Sequence, residues 1–323
     1  MKRLKISNPL RTAFLICAAI FLSLSRPAFS ANDLEDVSAR AAAGDAGAQY
    51  QMGQIYEIGE KVERNVEEAF KWYLKAAQQG HEESQFKVGK CFFHGYGTTM
   101  DQNLGVQWFQ VAAEKNHKLA AFEMGHCYWL GKGVEKNDPE AVRWFEIAAK
   151  EGLSGAMFSL ALIYSEGDPA LRDPEKALKW QIKTAEAGDP YAQFLVANMY
   201  EAGNGMPKNL SEAKVWYQKS AEKDFKDSQI KLAEFFEKGY TGEPDFVEAF
   251  AWYTLAKPPL GSEPRIESAL GGLRKKMTKG QITTAEKRIE TYRKQFGFID
   301  PSLLNKEDLR YGPNAPKPPE QKQ

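Results

Sequence analysis

The sequence predicts an all-α protein: an α-solenoid, wound as a right-handed superhelix, of six 36-residue helix-turn-helix repeats with N- and C-terminal capping helices. The first observation is the spacing of six of the seven tryptophans, which recur every 36 residues: Trp72, Trp108, Trp144, Trp180, Trp216 and Trp252. A glycine column keeps the same register: Gly59, Gly95, Gly131, Gly167, Gly203 and Gly239. An aromatic column does so too: Tyr56, Phe92, Tyr128, Tyr164, Tyr200 and Phe236. Fixed periods of this length are the signature of stacked repeats, and we expect the tryptophan column to be structural.

Each repeat begins with a helix that has one buried side. In the first repeat, Ala48, Met52, Ile55 and Tyr56 fall on one side of a helix at 100° per residue. Gly59 follows as the predicted stop, because glycine adopts a positive φ without a steric penalty.

The second helix of each repeat begins at a column of Asn and Asp residues, which are good N-caps. The column is Asn65, Asp101, Asn137, Asp173, Asn209 and Asp245. Glutamates three residues later predict four capping boxes, at Glu68, Glu140, Glu212 and Glu248. The apolar stripe that follows in the first repeat is Ala69, Trp72, Tyr73, Ala76 and Ala77.

No single two-helix unit can bury both of its faces, so neighbouring units must stack. The predicted repeats span residues 44–79, 80–115, 116–151, 152–187, 188–223 and 224–257. Residues 31–43 are predicted to form an N-terminal capping helix, and 258–299 the C-terminal capping helices. Thr278 and Gln281 predict a capping box in this last region. Residues 300–323 turn polar and proline-rich, which is typical of a disordered tail.

Residues 1–30 have the pattern of a secretory signal peptide. Lys2, Arg3, Lys5 and Arg11 precede an apolar stretch, and Ala28-Phe29-Ser30 predicts cleavage after Ser30. A membrane anchor is the alternative, but the apolar run is shorter than the roughly 20 residues of a membrane span. A lipid anchor on Cys17 is a third interpretation. Cleavage would place the mature protein in the periplasm or outside the cell, without stable membrane insertion.

The repeat columns resemble the Sel-one-like repeat family, a relative of the tetratricopeptide repeats. Residues 48–59, AQYQMGQIYEIG, match the first helix of the family pattern, and residues 69–80, AFKWYLKAAQQG, match the second. Repeat 4 departs from the pattern with Gly167-Asp168-Pro169-Ala170 in its turn. The resemblance implies an adaptor that binds other proteins and has no general active site. Members act in envelope maintenance, host contact and motility, among other processes.

Charge and composition restrict the possible functions. The formal net charge is zero, but residues 31–260 hold 25 Lys and Arg against 35 Asp and Glu. An acidic body argues against nucleic-acid binding, which needs clustered cations. The glycines of Gly95-Tyr96-Gly97 and Gly131-Lys132-Gly133 lack the third glycine and the preceding strand of a dinucleotide site. We therefore expect no cofactor.

Catalytic and metal-binding motifs are weak. Ser84–Lys87, Ser220–Lys223 and Ser228–Lys231 fit S-x-x-K, but the K-T-G and S-D-N motifs of β-lactam enzymes do not occur. Cys91-x-x-His94 and His126-Cys127 suggest zinc, yet the cysteines are predicted to face inward and the histidines outward. We expect two free, buried thiols and no metal. The chain is interpreted as a non-catalytic scaffold; a small-ligand-binding or hydrolytic, β-lactam-type envelope protein is the alternative.

The candidate partner site lies on the outer side of the first helices, which lines the concave groove in solenoids of this kind. Repeats 5 and 6 carry mostly charged residues there, whereas repeats 2 and 3 carry Lys90, Phe93, His94, His126, Trp129 and Leu130. Aromatic anchors with a polar rim dominate protein interfaces. We expect Trp129 and Phe93 to be anchors, and the two histidines to weaken binding below about pH 6. Alternatively, Trp129 packs over its own turn against Val134.

Overall fold

The computed structural model describes residues 31–59, 62–258 and 263–299, and the predicted signal peptide and C-terminal tail lie outside these ranges. All regular secondary structure in these ranges is α-helical, as predicted. The helices are α1 Ala31–Ala42, α2 Ala46–Ile58, α3 Val66–Gln78, α4 Glu82–His94, α5 Gln102–Ala113, α6 Lys118–Leu130, α7 Asp138–Lys150, α8 Ser154–Glu166, α9 Pro174–Glu186, α10 Pro190–Ala202, α11 Leu210–Ala221, α12 Lys226–Lys238, α13 Phe246–Ala256, α14 Pro264–Lys276 and α15 Lys279–Phe296.

The chain divides into two units, the first ending at Asp101 and the second beginning at Gln102. In the first unit, α1 covers the apolar side of α2. Val37 and Ala41 of α1 pack with Ala48 and Met52 of α2, and all four are almost completely buried. The helix that precedes the repeats thus supplies the neighbour that the first repeat needs for burial.

In the second unit, α14 and α15 cover the last repeat. Leu270 and Ile289 belong to the same buried cluster as Trp252. The indole of Trp252 stacks on the Tyr292 ring, with centroids 4.8 Å apart. The Glu248 carboxylate accepts a hydrogen bond of 2.8 Å from the Tyr292 hydroxyl. The terminal helices therefore bury a tryptophan that would otherwise lie at the exposed end of the array.

The predicted N-caps are present in five of the second helices, but four predicted capping boxes are wrong. The side chains of Asn65, Asn137, Asp173, Asn209 and Asp245 accept the expected backbone N–H bonds. The backbone N–H of the N-cap residue, however, donates to the backbone carbonyl of the preceding residue of the aromatic column. Asn65, for example, donates to the Tyr56 carbonyl at 2.9 Å. This N–H is therefore not available to the side chain of a glutamate. Glu68 instead forms an ion pair of 2.6 Å with Lys71. Thr278 and Gln281 do form the predicted capping box.

The glycine column ends the first helices in the left-handed conformation, except in repeat 4. Gly59, Gly95, Gly131, Gly203 and Gly239 have φ between 64° and 80°. Gly167 has φ −68° and ψ −157°. Its turn contains Pro169 instead of a second glycine, and the Ala170 N–H donates to the Asp168 carboxylate at 2.8 Å. Repeat 4 is thus irregular both in sequence and in backbone.

Candidate functional site on the first helices

The outer side of the first helices is built from pairs of side chains that join the two helices of a repeat. In repeat 1 the Tyr73 hydroxyl on α3 donates to the Glu57 carboxylate on α2 at 2.6 Å. The equivalent hydroxyls of Tyr217 and Tyr253 donate to Glu201 and Glu237. Three of the six repeats therefore close this side with the same polar pair.

Repeat 3 replaces the polar pair with an aromatic one. The Trp129 indole meets the Phe145 ring edge to face, with centroids 6.2 Å apart. Phe145 is fully buried, so the indole rests on the core of its own repeat. Repeat 2 shows the same exchange in sequence, with Phe93 and Phe109 at these positions. Glutamate thus occurs where the second helix carries a tyrosine, and an aromatic ring occurs where it carries a phenylalanine.

Lysines from the following repeat complete two of the polar pairs. The Lys87 ammonium lies 2.8 Å from the Glu57 carboxylate, and that of Lys231 lies 3.1 Å from Glu201. Burial alone would raise the pKa of Glu57, but hydrogen bonds from Lys87 and Tyr73 lower it below its ordinary value. Burial, followed by the Glu57 hydrogen bond, raises the pKa of Tyr73. The side is therefore charged but locally neutralised in these repeats.

Three predicted site residues, His126, Trp129 and Leu130, lie on α6 in the second unit. The His126 ring is wedged between Phe122 and Phe145, at centroid distances of 4.5 and 5.0 Å. Burial lowers the pKa of His126 to about 4, and the charge of Lys132 acts in the same direction. The expected protonation near pH 6 is therefore wrong for this residue. Leu130 exposes 43% of its surface.

The other three predicted residues, Lys90, Phe93 and His94, lie on α4 in the first unit. Phe93 is only 9% exposed, so it is not the protruding anchor that the helical pattern predicted. The His94 ring stacks on Tyr96 with centroids 5.3 Å apart. The Lys90 ammonium lies 5.8 Å from the centre of the Phe86 ring. These side chains are thus packed against aromatic neighbours of their own repeat.

Cys91 and Cys127 are free and buried, as predicted. Burial raises the pKa of the Cys91 thiol to about 11 and that of Cys127 to about 12. Among the residues that the structure describes, no three His, Cys, Asp or Glu side chains are grouped as metal ligands. Both cysteines therefore behave as small apolar core residues.

The serines of the S-x-x-K matches lie between packed helices. Ser84 and Ser228 are fully buried, and the Ser228 hydroxyl donates to that of Ser220 at 2.7 Å. The Ser220 hydroxyl donates to the Pro190 carbonyl at 2.6 Å. Lys87 and Lys231 are held by their glutamates. These contacts connect neighbouring helices.

Three tryptophans of the periodic column, all in the second unit, are almost completely buried. Trp144, Trp216 and Trp252 are 5%, 9% and 2% exposed. Basic side chains lie over several indole rings of this column. Lys219 lies 4.0 Å from the centre of the Trp216 ring, and Arg143 lies 4.7 Å from that of Trp144. A cation over an indole face is attracted by the ring quadrupole. These contacts agree with a structural role.

Two columns of polar residues were not identified from the sequence. Buried glutamines donate to the backbone carbonyl eight residues earlier, at 3.0–3.2 Å: Gln49 to Ala41, Gln85 to Ala77, Gln193 to Ala185 and Gln229 to Ala221. First helices are capped by Asp45, His81, His117 and Asp189, whose side chains accept a backbone N–H. The signal was available, since both sets recur at the 36-residue period.

The Sel1 repeat model matches six consecutive segments of the chain: 46–81, 82–117, 118–153, 154–189, 190–225 and 226–257. The chain belongs to the Sel1 repeat family. Its fold is therefore the all-α solenoid of Sel1 repeats, a scaffold that commonly mediates protein interactions. Sel1 repeat proteins are generally non-catalytic, and bacterial ones are often exported.

Two solved structures show what this Sel1 repeat chain is similar to. A Sel1 repeat protein from Oxalobacter formigenes is 30% identical over 69% of this chain and 98% of its own, with a TM-score of 0.57. The Escherichia coli protective antigen c5321, which displays the same repeat fold, is 26% identical over 82% of this chain, with a TM-score of 0.47. The chain spans 64% of the length of c5321. No curated protein matches the sequence.

The helices of the described ranges were also compared with the requirements of a membrane span. None of them is both long enough and apolar enough to cross a bilayer.

Proposed function

We propose that this Sel1 repeat chain is a non-catalytic, exported scaffold that binds a protein partner through the outer side of its first helices. The observation that carries the proposal is the surface of repeat 3. Trp129 and Leu130 occupy positions where repeats 1, 5 and 6 place a glutamate next to Ile58, Ala202 or Lys238. Leu130 is substantially exposed beside the indole. An apolar anchor with a polar surround is characteristic of protein interfaces.

Trp129 and Leu130 are the proposed main contacts. The His126 ring packs against the Trp129 indole, with centroids 6.0 Å apart. Of the repeat 2 residues Lys90, Phe93 and His94, the proposed role of Phe93 is to support the His94 ring, with the two ring centroids 5.1 Å apart. Because Phe93 is buried, Lys90 and His94 would be the residues of that repeat that touch the partner directly.

Binding can be tested by capturing partners from the envelope fraction of the source cells with the mature chain. Leu130→Asp should weaken capture at least tenfold, because it introduces a charge into an apolar contact. Val215→Asp is the matched control, since Val215 is 45% exposed on the second-helix side. Equal capture by the wild type and Leu130→Asp, with both folded, contradicts the site.

Export can be tested separately from binding. The signal-peptide pattern of residues 1–30 supports a mature protein that begins at Ala31. Mass spectrometry of the protein from an osmotic-shock fraction and from the medium should find that mass. A full-length mass in the cell pellet alone contradicts export.

A further inference from the structure

The C-terminal capping helices carry the opposite charge to the repeats. Residues 263–299 contain nine Lys and Arg against four Glu, whereas residues 31–260 contain 25 Lys and Arg against 35 Asp and Glu. The excess of positive charge is concentrated where α14 ends and α15 begins, in a stretch from Ser268 to Ala285 that contains no acid. The basic residues of this stretch, all exposed, are called the basic junction: Arg274, Lys275, Lys276 and Lys279.

Two other basic residues of the capping helices already have a structural role. Arg265 on α14 forms an ion pair with Glu234 on α12. Arg288 on α15 lies 3.2 Å from the Glu248 carboxylate on α13. These pairs attach the capping helices to repeat 6, so part of the positive charge is explained by the packing of the cap. The basic junction is not used in this way to the same extent.

The charges of the basic junction are only weakly neutralised by the rest of the protein. The Lys276 ammonium lies 3.7 Å from the Glu237 carboxylate, and its side chain remains 53% exposed. Arg274 lies over the Phe250 ring, 5.4 Å from its centre, and this contact leaves the positive charge in place. The other two lysines of the junction form no ion pair with any residue that the structure describes.

The helix dipoles account for only part of this cluster. Three of its residues lie in the last turn of α14, where cations are favoured. Lys279, however, is the first residue of α15, at the positive end of that helix, and the first turn contains no acid to balance it. The Lys279 ammonium is therefore repelled by the helix end and by the neighbouring cations. A residue that opposes local stability is expected at a functional site, and an anionic surface would remove the repulsion.

The basic junction fits a surface of anionic headgroups better than a protein or a single anion. Met277 is the apolar residue within it, and this side chain is only 8% exposed. Protein interfaces usually depend on an apolar or aromatic anchor, whereas lipid headgroups attract clustered charge alone. A Cβ added at Gly280 would meet no atom within 4 Å. The junction is thus open to its surroundings and does not enclose a pocket for one anion.

We propose that the basic junction binds the surface of an anionic phospholipid bilayer as a peripheral contact. Clusters of about four to eight Lys and Arg residues are attracted to anionic headgroups, and their long side chains reach the phosphates while the backbone stays outside the bilayer. The acidic repeats are repelled by the same surface, so the contact is made through the capping helices. This inference goes beyond the proposed partner site on repeat 3 and depends on the proposed export only for access to such a membrane.

The test is co-sedimentation of the mature chain with two kinds of vesicle. One kind contains phosphatidylglycerol and phosphatidylcholine in equal parts, and the other contains phosphatidylcholine alone. We expect binding to the anionic vesicles only. Binding should be lost when NaCl is raised from about 0.1 M to about 1 M, because the Debye length falls from about 10 Å to about 3 Å.

Lys275→Gln combined with Lys279→Gln should weaken vesicle binding about 30-fold, since each basic residue near an anionic surface contributes about fivefold. The matched control is Lys150→Gln combined with Lys179→Gln, which removes the same charge from exposed positions of α7 and α9. The control should bind the vesicles as tightly as the wild type. Circular dichroism and urea unfolding establish that both double variants are folded.

The inference is overturned if the wild type does not bind anionic vesicles at low salt, or if the junction variant binds as tightly as the wild type. Equal weakening in the control would show that net charge alone drives binding. Displacement of the vesicles by inorganic phosphate at constant ionic strength would indicate a pocket for a single anion and would refute the bilayer contact. Self-association that the junction variant abolishes, without vesicle binding, would assign the junction to the acidic repeats of a second copy.

Vesicle binding and partner capture are separable. Leu130→Asp should bind anionic vesicles as the wild type does, because Leu130 lies on repeat 3, away from the capping helices. Loss of vesicle binding in Leu130→Asp would contradict the junction as the contact. Partner capture that fails while the junction variant still loses vesicle binding contradicts the proposed partner site and supports the membrane contact.

Discussion

The hydroxyl of Tyr73 and the carboxylate of Glu57 are joined by a hydrogen bond of 2.6 Å that connects the two helices of repeat 1. Lys87 of the next repeat reaches the same carboxylate at 2.8 Å. One glutamate thus links the two helices of its own repeat and the first helix of the following one. The outer side of these helices is therefore part of the mechanical connection between repeats, as well as a surface for contact.

Tyr73→Phe and Glu57→Leu should show a coupling energy of about 1 kcal/mol in a double-mutant cycle, the usual worth of a hydrogen bond that is partly exposed to solvent. Urea unfolding of the four proteins measures it. The Tyr253–Glu237 pair, at 3.2 Å, should give a smaller value. Additive effects at Tyr73 and Glu57 would show that the bond contributes no stability.

Trp144→Ala should lower the free energy of unfolding by about 3–5 kcal/mol, because the indole is 5% exposed and its removal leaves a cavity. Trp129→Ala should cost less, about 1–2 kcal/mol, since this ring is partly exposed and mainly loses its contact with Phe145. Urea unfolding at pH 7 compares the two. Equal losses would refute the structural distinction between the periodic and the non-periodic tryptophan.

Acid should destabilise the wild type more than a His126→Leu variant. Burial lowers the pKa of His126 to about 4, whereas an unfolded chain binds this proton near pH 6.5. Between these values the unfolded state holds more protons, so stability falls as pH falls through the window. From pH 7 to 4.5 the wild type should lose about 2 kcal/mol more than the variant. Parallel pH profiles of the two unfolding free energies would contradict the burial of a neutral imidazole.

Cys91 and Cys127 should resist thiol reagents in the folded protein. Their raised pKa values leave almost no thiolate at pH 8, and both are buried. Counting thiols in the mature chain with a chromogenic disulfide should find two after denaturation and almost none before it. A disulfide between them in mass spectrometry would contradict the packing.

The fold was predictable because the 36-residue period fixes the helix order, and because Trp144 and its counterparts can only be buried by stacking. The contacts within that register were harder to predict. A helical wheel places Phe93 and Trp129 on the outer side, but it does not show that Phe145 from the second helix reaches across to meet Trp129. The contact becomes predictable when the Trp129 and Phe145 positions are compared between repeats. Where the first helix has glutamate the second has tyrosine, and where the first has an aromatic residue the second has phenylalanine.

Local capping was predicted in part. Asn and Asp caps were identified from residue type, and the backbone bond from Asn65 to Tyr56 explains why the glutamate half of the box is missing. The caps at His81 and His117 were overlooked, because histidine is an unusual N-cap and only the Nδ1 of its neutral ring can accept the backbone N–H. Their alignment with Asp45 and Asp189 was the available clue.

The buried glutamines have a consequence for how the array opens. Repeats 3 and 4 carry Ala121 and Met157 in the glutamine column, and neither side chain can donate to the carbonyl at the end of the preceding helix. Backbone amides near Ala113 and Ala149 should therefore exchange with deuterium sooner than those near Ala185 and Ala221, whose carbonyls accept a hydrogen bond from a glutamine side chain. Fluctuations of this protein would then start in its middle repeats, whereas a uniform array would fray from its ends.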